Sequence, residues 1–332
     1  VYEQTSSGWK KSNKSYPQAL EAIKLFKAHA ALDLLIDQKD PSFFKGFVTK
    51  VGEIRGARIA VLPNSKKLEK AFSLFSPHLT IHDQQSHDHW DVLYQNKSGG
   101  YAYVYTVDKR LRARQQKYRK VDEFEKKYPI LLKSVTKALE DKTDYMAVPM
   151  YTLLTTYMRV GNEIYYKLHK HKGLLTLMKK DICIQKNQVT FDYIGKDGVP
   201  ISITKEYPLL YLKRLGELLK NCKPNDFVFK NPHTSHLLTE DQFQQAFQEY
   251  CGTTFYPHIV RSYYATHQVK EFLKNTKTAT KAQVKEFLLR VAGALGHRHF
   301  VKKTNVWKES YNTTIHSYVP AAYVERLWKI CE

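Results

Sequence analysis

The spacing of apolar residues divides the chain into two parts. In the first part, a helical pattern over PQALEAIKLFKAHAALDLLI precedes short β-prone stretches such as ARIAVLP. VLYQ-NKSGG-YAYVYTV then predicts a β-hairpin, because a Gly-Gly turn separates two alternating arms. Tyr101, Tyr103 and Tyr105 share one face, where they either form sheet core or contact a partner. Residues 1–107 are therefore predicted to form a small, mixed, β-rich domain.

The second part, residues 108–332, has mostly helical periodicity and one predicted β-hairpin, QVTFDYI-GKDG-VPISITKEYP. Lys196 lies at the tip of this hairpin. A turn lysine is normally solvated, but a hairpin tip also gives its ammonium reach toward a bound phosphate. The predicted fold class is α+β, with the domain boundary near the start of DKRLRARQQKYRKVDEFEKK, where nine of 20 residues are Lys or Arg.

Two arginines stand where apolar side chains are expected. In HIVRSYYATHQVKEFL, Arg261 lies on the inward stripe of a predicted helix, four residues before Ala265. Arg159 follows the long uncharged run YMAVPMYTLLTTYM and precedes Gly161, so it is predicted at the C-terminal end of a buried helix. Because burying a lone guanidinium is costly, each arginine indicates a core ion pair, a helix-end cation or a bound anion.

Three further candidates lie near the C-terminus. His297 follows an apolar helix that Gly296 ends, so we expect it to begin a loop, as a surface, capping or site residue. Tyr318 lies two residues before Pro320, at a loop-to-helix junction that presents its hydroxyl. Tyr311 lies in the polar stretch KESYNTT and is predicted to have no helix after it. Both tyrosines also suit plain packing.

Charge points to a polyanionic partner. The formal net charge is +21, from 53 Lys and Arg against 32 Asp and Glu, while a hydrophobic content of 42% excludes a disordered basic tail. Nucleic acid is the leading partner and an anionic membrane surface the second. The longest uncharged stretch is too short to span a bilayer and contains Pro149, and no signal peptide is visible. We therefore expect no membrane insertion.

Cysteine and histidine spacings predict no metal site. Four cysteines lie far apart without a CxxC pair, which favours reduced thiols in a cytosolic compartment. The segment SPHLTIHDQQSHDHWD concentrates histidines and aspartates in spacings that match no strong ligand motif, and we interpret it as a polar loop. Its candidate ligands are His78, His82, Asp83, His87, Asp88 and His89.

Taken in order, the blocks around these residues resemble the type IB DNA topoisomerases, particularly the small bacterial and poxvirus-like forms. MRVGNEIYYKLHKHKGLLTLMKKDI resembles that family's block around its first catalytic Arg, and FDYIGKDGVP resembles its hairpin with the catalytic Lys. IVRSYYAT and AGALGH resemble the blocks around the second Arg and the His position, and SYVPAAYVERLW the nucleophile block. KSGGYAYVYTVDKR resembles a worn version of the segment that ends the amino-terminal domain. The resemblance covers roughly residues 90–330.

The resemblance implies a five-residue site. Arg159 and Arg261 would bind the scissile phosphate, and His297 would donate to a non-bridging oxygen. Lys196 would protonate the leaving 5′-oxygen, and Tyr318 would form a covalent 3′-phosphotyrosyl link. No ATP, metal or nucleotide cofactor is implied, because the link conserves the phosphodiester energy and side chains supply the charge.

One departure from the family keeps Tyr311 in competition as the nucleophile. An insertion separates His297 from Tyr318, and TNVWKESY also resembles the residues leading into the family's tyrosine. We favour Tyr318, because a proline and an amphipathic helix should follow the nucleophile.

The implied partner is double-stranded DNA, encircled by the two domains of a monomer. The location would be the cytoplasm or nucleoid, or a nucleus or virion in a eukaryote or virus. The DNA-binding candidates are Tyr101, Tyr103, Arg110, Arg112, Arg114 and Lys117.

Two alternatives stay open. A tyrosine recombinase or telomere resolvase would use the same chemistry, although few residues follow Tyr318 to build a synaptic tetramer. A non-catalytic basic DNA-binding protein would need none of the five residues.

Overall fold

The computed structural model describes residues 2–11, 13, 16–36, 47–48, 54–55, 58–82, 89–96 and 99–331. It divides into two units, Val1–Lys117 and Tyr118–Glu332. The predicted boundary at residue 107 coincides with the start of a long helix, α2 (Val107–Ala138), and the division between the units falls inside that helix. The boundary at 107 therefore stays a prediction.

The described residues of the first unit form a complete α-helix, a 3₁₀ turn, short strands and the first turns of α2. The helix and the turn are α1 (Pro17–Ala28) and Leu32–Leu35. The strands are β1 (Tyr2–Thr5), β2 (Gly8–Lys11), β3 (Phe47–Val48), β4 (Ile54–Arg55), β5 (Arg58–Val61), β6 (Lys67–Ser73), β7 (Thr80–Ile81), β8 (Val92–Gln95) and β9 (Tyr101–Val104). They form sheets in the orders β2-β1-β3-β4, β5-β6 and β7-β8-β9. Phe26 of α1 packs with Phe72 of β6 and Val92 of β8 in one buried core.

The predicted tyrosine hairpin is present as β8 paired with β9. Ala102 and Val104 face the core, whereas Tyr101 and Tyr103 on the opposite face are 51% and 54% exposed. Tyr105 lies just beyond β9 and is partly buried. The alternative in which this face forms sheet core is therefore wrong for Tyr101 and Tyr103.

The second unit is mostly helical, as predicted. After α2 come α3 (Ala147–Thr156), α4 (Glu163–His169), α5 (Leu209–Lys220), α6 (Glu240–Cys251), α7 (Ile259–Asn275), α8 (Lys281–Ala294), α9 (Asn312–Ser317) and α10 (Ala321–Lys329). The strands are β10 (Ile182–Gln185), β11 (Gln188–Ile194), β12 (Pro200–Glu206), β13 (Arg298–Val301) and β14 (Val306–Glu309), with 3₁₀ turns at Leu174–Thr176, Lys179–Asp181 and Lys196–Gly198. Together with the β-rich first unit, this confirms the α+β class.

Two apolar clusters hold the second unit together. One surrounds α3, a helix with eight of its ten residues buried. The other joins α7, α8 and α10 through side chains such as Ala265, Leu288 and Leu327, all fully buried. The N-cap residues Thr239 and Thr280 open α6 and α8 with capping boxes that satisfy the first backbone N–H groups. The loops between these helices are thereby fixed to rigid elements.

The structure differs from the predicted strands of the second unit in two ways. Strand β10 adds a third strand to the predicted hairpin, giving the antiparallel order β10-β11-β12. A second, unpredicted hairpin, β13–β14, fills the insertion between His297 and Tyr318. Its strands RHFV and VWKE pair in register across a four-residue turn, but neither alternates apolar with polar residues, so periodicity does not predict them.

Among the described residues, no helix has the length and apolar character needed to cross a bilayer. The same residues contain no group of three or more His, Cys, Asp or Glu placed to hold a metal ion. In the histidine-rich segment, His82 and His89 lie in ring contact at 4.6 Å, while residues 83–88 lie outside the described ranges. The four cysteines are free thiols.

Candidate active site

Arg159 lies in a tight loop rather than at a helix end. Helix α3 ends at Thr156, with Tyr157 in the left-handed conformation (φ 55°). Gly161 (φ +83°) packs against Gly173 so closely that a Cβ on Gly173 would lie 2.5 Å from the carbonyl oxygen of Arg159. The backbone N–H of Leu174 also donates to that oxygen, at 2.8 Å. The two glycines therefore fix the Arg159 backbone, which explains their spacing in the sequence.

Lys196 occupies the exposed tip of the β11–β12 hairpin, as predicted. The tip closes with a hydrogen bond from the Gly195 N–H to the Val199 carbonyl, at 2.8 Å. Lys172 anchors the end of β11 next to this tip, because its backbone N–H donates to the Ile194 carbonyl at 2.8 Å. Its ammonium is largely buried and pairs with Asp181 at 2.7 Å. The loop that follows Arg159 is thus bonded directly to the hairpin that bears Lys196.

Arg261 lies on the buried stripe of α7, as predicted, with 2% of its surface exposed. No carboxylate neutralises it among its described partners. Its Nη1 donates to the Tyr157 carbonyl at 2.6 Å, and its Nη2 donates to the Leu295 carbonyl at 2.7 Å. Its Nε is buried and finds no partner within the described residues. The Arg261 guanidinium therefore retains an N–H donor for an anion. The core ion pair considered from the sequence does not form among the described residues.

His297 is buried, with 4% exposure, so the surface position is wrong. The reason is packing: Gly296 (φ +64°) lies so close to Ile201 of β12 that a Cβ there would meet its side chain at 2.5 Å. Nε2 of His297 accepts from Nη2 of Arg261 at 3.1 Å, because a guanidinium has no acceptor. Nδ1 then carries the proton and donates to Oγ1 of Thr314 at 2.8 Å.

The imidazole of His297 is held neutral. Burial, together with the guanidinium groups of Arg261 and Arg159 and the ring of His258, lowers its pKa to about 3. The unfolded chain, in contrast, protonates this residue near its ordinary pKa of 6.5. The unfolded state consequently binds more protons between these two values.

We expect the free energy of unfolding to decrease as the pH is lowered below about 6.5, because the unfolded chain then protonates His297. Its contribution is complete above that pH and is lost at up to about 1.4 kcal/mol per pH unit as the pH falls toward the folded pKa. The His297→Gln protein should therefore show a flatter dependence of the free energy of unfolding on pH than the wild type. Urea unfolding between pH 7 and 5 measures this. His299→Gln, on the exposed side of β13, is the control and should retain the wild-type slope; equal slopes in all three proteins would contradict the prediction.

Tyr318 lies beside the neutral ring of His297 and the guanidinium of Arg261. It ends α9 with 5% exposure, and its ring centroid is 4.9 Å from that of His297 and 5.3 Å from that of His258. The guanidinium carbon of Arg261 is 5.4 Å from the Tyr318 ring centroid. Thr266 donates from Oγ1 to the Tyr318 carbonyl at 3.0 Å, which fixes the backbone. The phenol is thus held in a positive field.

Tyr311 does not share this environment. It packs at the edge of the apolar cluster of α7, α8 and α10, and Tyr318 makes the ring contacts with His297 and Arg261. The expectation that no helix follows Tyr311 is wrong, because α9 begins at the next residue. Burial of Thr314 and Ile315 outweighs the weak helix propensity of Asn-Thr-Thr. Pro320 is the N-cap residue of α10, the helix predicted to follow Tyr318.

A small cleft lies where the Arg159 loop, helix α7 and the β11–β12 hairpin meet. Arg159 and Arg261 both line it, together with Tyr193 of β11. The remaining lining residues are Met158, Pro200, Ile201, Ser202, Ile203, Gly293, Ala294, Leu295, Gly296 and Arg298. Lys196 is not among them and stays at the hairpin tip. The structure thus brings Arg159, Arg261, His297 and Tyr318 into one neighbourhood and leaves Lys196 on a finger whose second strand lines the cleft.

Arg298 is a cleft residue that the sequence analysis missed. Its Nη1 donates to the Pro200 carbonyl at 2.9 Å, which ties the residue after His297 to the start of β12. The signal available in the sequence was its position in GHRHF, directly after the candidate histidine. Adjacent polar residues at a helix end are common, so that position alone had no discriminating power.

Comparison with known proteins places this site in context. The sequence model of the family described as eukaryotic DNA topoisomerase I, catalytic core, matches residues 108–320. The DNA topoisomerase 1 of Rabbit fibroma virus (strain Kasza) is 26% identical over 121 residues, which is 36% of this chain and 37% of that protein. The DNA topoisomerase 1B of Vaccinia virus (strain Copenhagen) is 29% identical over 97 residues, 29% of this chain and 31% of that protein. The chain thus spans about a third of the length of these curated relatives.

Among solved structures, the pre-cleavage complex of the XerH site-specific recombinase with its difH substrate is 17% identical. The alignment covers 56% of this chain and 46% of the recombinase chain, with a TM-score of 0.35. The post-cleavage complex of the same recombinase with a palindromic difH substrate is 19% identical, with a TM-score of 0.38 and coverages of 60% and 51%.

Proposed function

Because the chain belongs to the family of the eukaryotic DNA topoisomerase I catalytic core, we propose that it is a type IB DNA topoisomerase. It relaxes supercoils by cleaving one strand of duplex DNA and resealing it, without ATP or a metal ion. The observation that carries this proposal is the mutual contact of Arg261, His297 and Tyr318 beside the cleft that Arg159 lines. That arrangement supplies a phenol, a buried guanidinium and a second guanidinium to one phosphate.

The phosphodiester chemistry follows from this placement. The phenolic oxygen of Tyr318 gives up its proton to solvent and forms a bond to phosphorus, while the bond between phosphorus and the 5′-oxygen breaks. Arg159 and Arg261 donate to the non-bridging oxygens, where negative charge concentrates in the transition state. Lys196 gives the departing 5′-oxygen its proton from the hairpin tip. Attack by the 5′-hydroxyl on the phosphotyrosyl bond then reverses the reaction.

His297 takes up a proton when DNA binds. With Nε2 accepting from Arg261, the neutral ring has no proton there to donate. Burial and the neighbouring arginines disfavour the protonated ring, whereas the negative charge of a phosphate in the cleft favours it and so raises the pKa of the imidazole. The protonated ring then donates to a non-bridging oxygen from Nε2 while Thr314 keeps Nδ1 in place.

The DNA-binding surface includes the candidates predicted from the sequence. Tyr101 and Tyr103 are exposed beside each other on β9, and Arg112 is exposed on α2. Arg110 forms an ion pair with Glu69 at 3.1 Å, which a phosphate would replace. Burial, with Arg114 and Arg110 nearby, lowers the pKa of Lys117 to about 8, so phosphate contact would restore its full charge.

Helix α4 adds surface that the sequence analysis did not assign to DNA. It follows the Arg159 loop directly, with Asn162 as its N-cap. Its exposed side chains include Ile164, Tyr165 and Leu168, at 66%, 55% and 71% exposure, next to Lys167 and Lys170. Apolar and cationic groups mixed on one exposed helix suit a nucleic-acid groove.

Plasmid relaxation tests the proposal. Purified protein should relax negatively and positively supercoiled plasmid in EDTA without ATP, and denaturants added during the reaction should trap protein on nicked DNA. A parallel assay with paired recombination sites separates this function from recombination. Absence of both relaxation and covalent adduct would support a non-catalytic DNA-binding protein.

A further inference from the structure

The unpredicted hairpin β13–β14 is a two-stranded ribbon, paired with no third strand among the described residues. Its register pairs Arg298 with Glu309 and Phe300 with Trp307, and the two aromatic rings lie in contact at 5.3 Å. Phe300 remains 42% exposed and Val306 48% exposed. An isolated two-stranded hairpin is marginally stable in water, so the stability of the ribbon depends on the elements that it packs against.

The ribbon leans on the hairpin that bears Lys196. Arg298, at its base, donates to the Pro200 carbonyl at 2.9 Å. The indole of Trp307 lies 4.0 Å from the point that a Cβ on Gly198 would occupy, two residues from Lys196. The base of the ribbon also begins directly after His297. Its orientation is therefore fixed relative to the finger and the cleft.

The ribbon is strongly cationic. Between residues 298 and 309 it carries Arg298, Lys302, Lys303 and Lys308 against a single acid, Glu309. Lys302 and Lys303 occupy the exposed turn, and within the described part of the chain neither forms an ion pair. Two adjacent ammonium groups without a counter-ion repel each other, which an approaching polyanion would relieve.

We propose that the β13–β14 ribbon is a second DNA-contacting finger, which grips phosphates of the duplex segment that carries the departing 5′-hydroxyl. This inference rests on the proposed function. Lys196 must meet the 5′-oxygen, so its hairpin lies on that side of the scissile phosphate. The ribbon packs against the same hairpin, and its lysines extend the contact along the same segment.

The grip has a consequence for strand rotation. After cleavage only the segment with the 5′-hydroxyl turns, while Tyr318 holds the other end covalently. Phosphate contacts from Lys302 and Lys303 restrain that turning segment and keep its 5′-hydroxyl near the phosphotyrosyl bond. The ribbon therefore favours resealing over extended rotation.

The test compares Lys302→Ala/Lys303→Ala with wild type in equilibrium DNA binding across a range of salt. On a duplex extending well past the cleavage site on both sides, we expect the slope of log K against log[salt] to shrink by about 1.8, or about 0.9 per lost phosphate contact. On a duplex that ends within a few base pairs on the 5′-hydroxyl side, the variant and wild type should have equal slopes. The control, Lys281→Ala/Lys285→Ala, removes two exposed lysines from the end of α8 remote from His297 and should keep the wild-type slope on both duplexes.

Three outcomes would overturn the inference: an unchanged slope on the long duplex, an equal loss with the control variant, or the same loss on the shortened duplex. Circular dichroism confirms that each variant is folded. Covalent-adduct formation, measured on the same duplexes, is a separate readout. If wild type forms no adduct, the proposed function fails, whereas the salt slopes still decide whether the ribbon binds DNA.

Discussion

Tyr318→Phe is expected to abolish covalent attachment to DNA, with a loss of cleavage rate of about 10⁶-fold or more, the scale seen when a nucleophile is removed. The substitution deletes only the phenolic oxygen. The ring keeps its contacts with His297 and Arg261, so DNA affinity and the unfolding midpoint should barely change. Cleavage of a nicked duplex that traps the adduct, followed by denaturing gels, measures the rate.

Tyr311→Phe is the matched control. Its ring packs at the edge of an apolar cluster, and loss of its hydroxyl leaves the cations around Tyr318 in place. We expect its cleavage rate to lie within about twofold of wild type, since the substitution keeps the ring in its cluster and removes no group of the site. Adduct formation by Tyr318→Phe, with its loss in Tyr311→Phe, would reverse the assignment.

Lys196→Ala is expected to slow cleavage by about 10²–10⁴-fold, the usual contribution of a general acid. The exposed tip position means that folding and the cleft should survive the substitution. A duplex with sulfur in place of the bridging 5′-oxygen should restore the rate, because a thiolate leaves without being protonated first. Lys213→Ala, an exposed lysine on α5, should cleave both duplexes like the wild type.

The sulfur substrate separates two roles for Lys196. If the ammonium only attracted DNA or stabilised the non-bridging oxygens, the sulfur substitution would leave the variant slow, and the assignment as proton donor would be wrong. Arg159→Ala provides the reference for that behaviour. It removes a phosphate donor, so the sulfur duplex should not restore its rate.

Local patterns in the sequence were sufficient where a side chain's position follows from its own element. The apolar stripe of α7 placed Arg261 inward, and the alternation in β11 and β12 placed Lys196 at a tip. The alternation in β9 showed which tyrosines share a face, but burial of the other face was needed to decide that Tyr101 and Tyr103 are exposed.

The remaining features depend on contacts between distant segments. His297 is buried because Ile201, almost 100 residues earlier, packs on Gly296. The close approach of Gly161 to Gly173 fixes the Arg159 backbone. Helix α9 is stabilised by Thr314 and Ile315, which are buried only once the core has folded. The positions of Arg298 and Trp307 likewise depend on their contacts with the neighbouring β11–β12 hairpin. No window of sequence contains both partners of such contacts, so periodicity does not report them.

The most direct test is the identity of the residue joined to DNA after trapping. Trypsin should release residues 309–326 as one peptide that contains Tyr311, Tyr318 and Tyr323, so fragmentation within the peptide must locate the attached nucleotide. The geometry around Arg261 and His297 predicts that the nucleotide is on Tyr318. Attachment to Tyr311 or Tyr323, or a peptide without any nucleotide under conditions that relax plasmid, would contradict it.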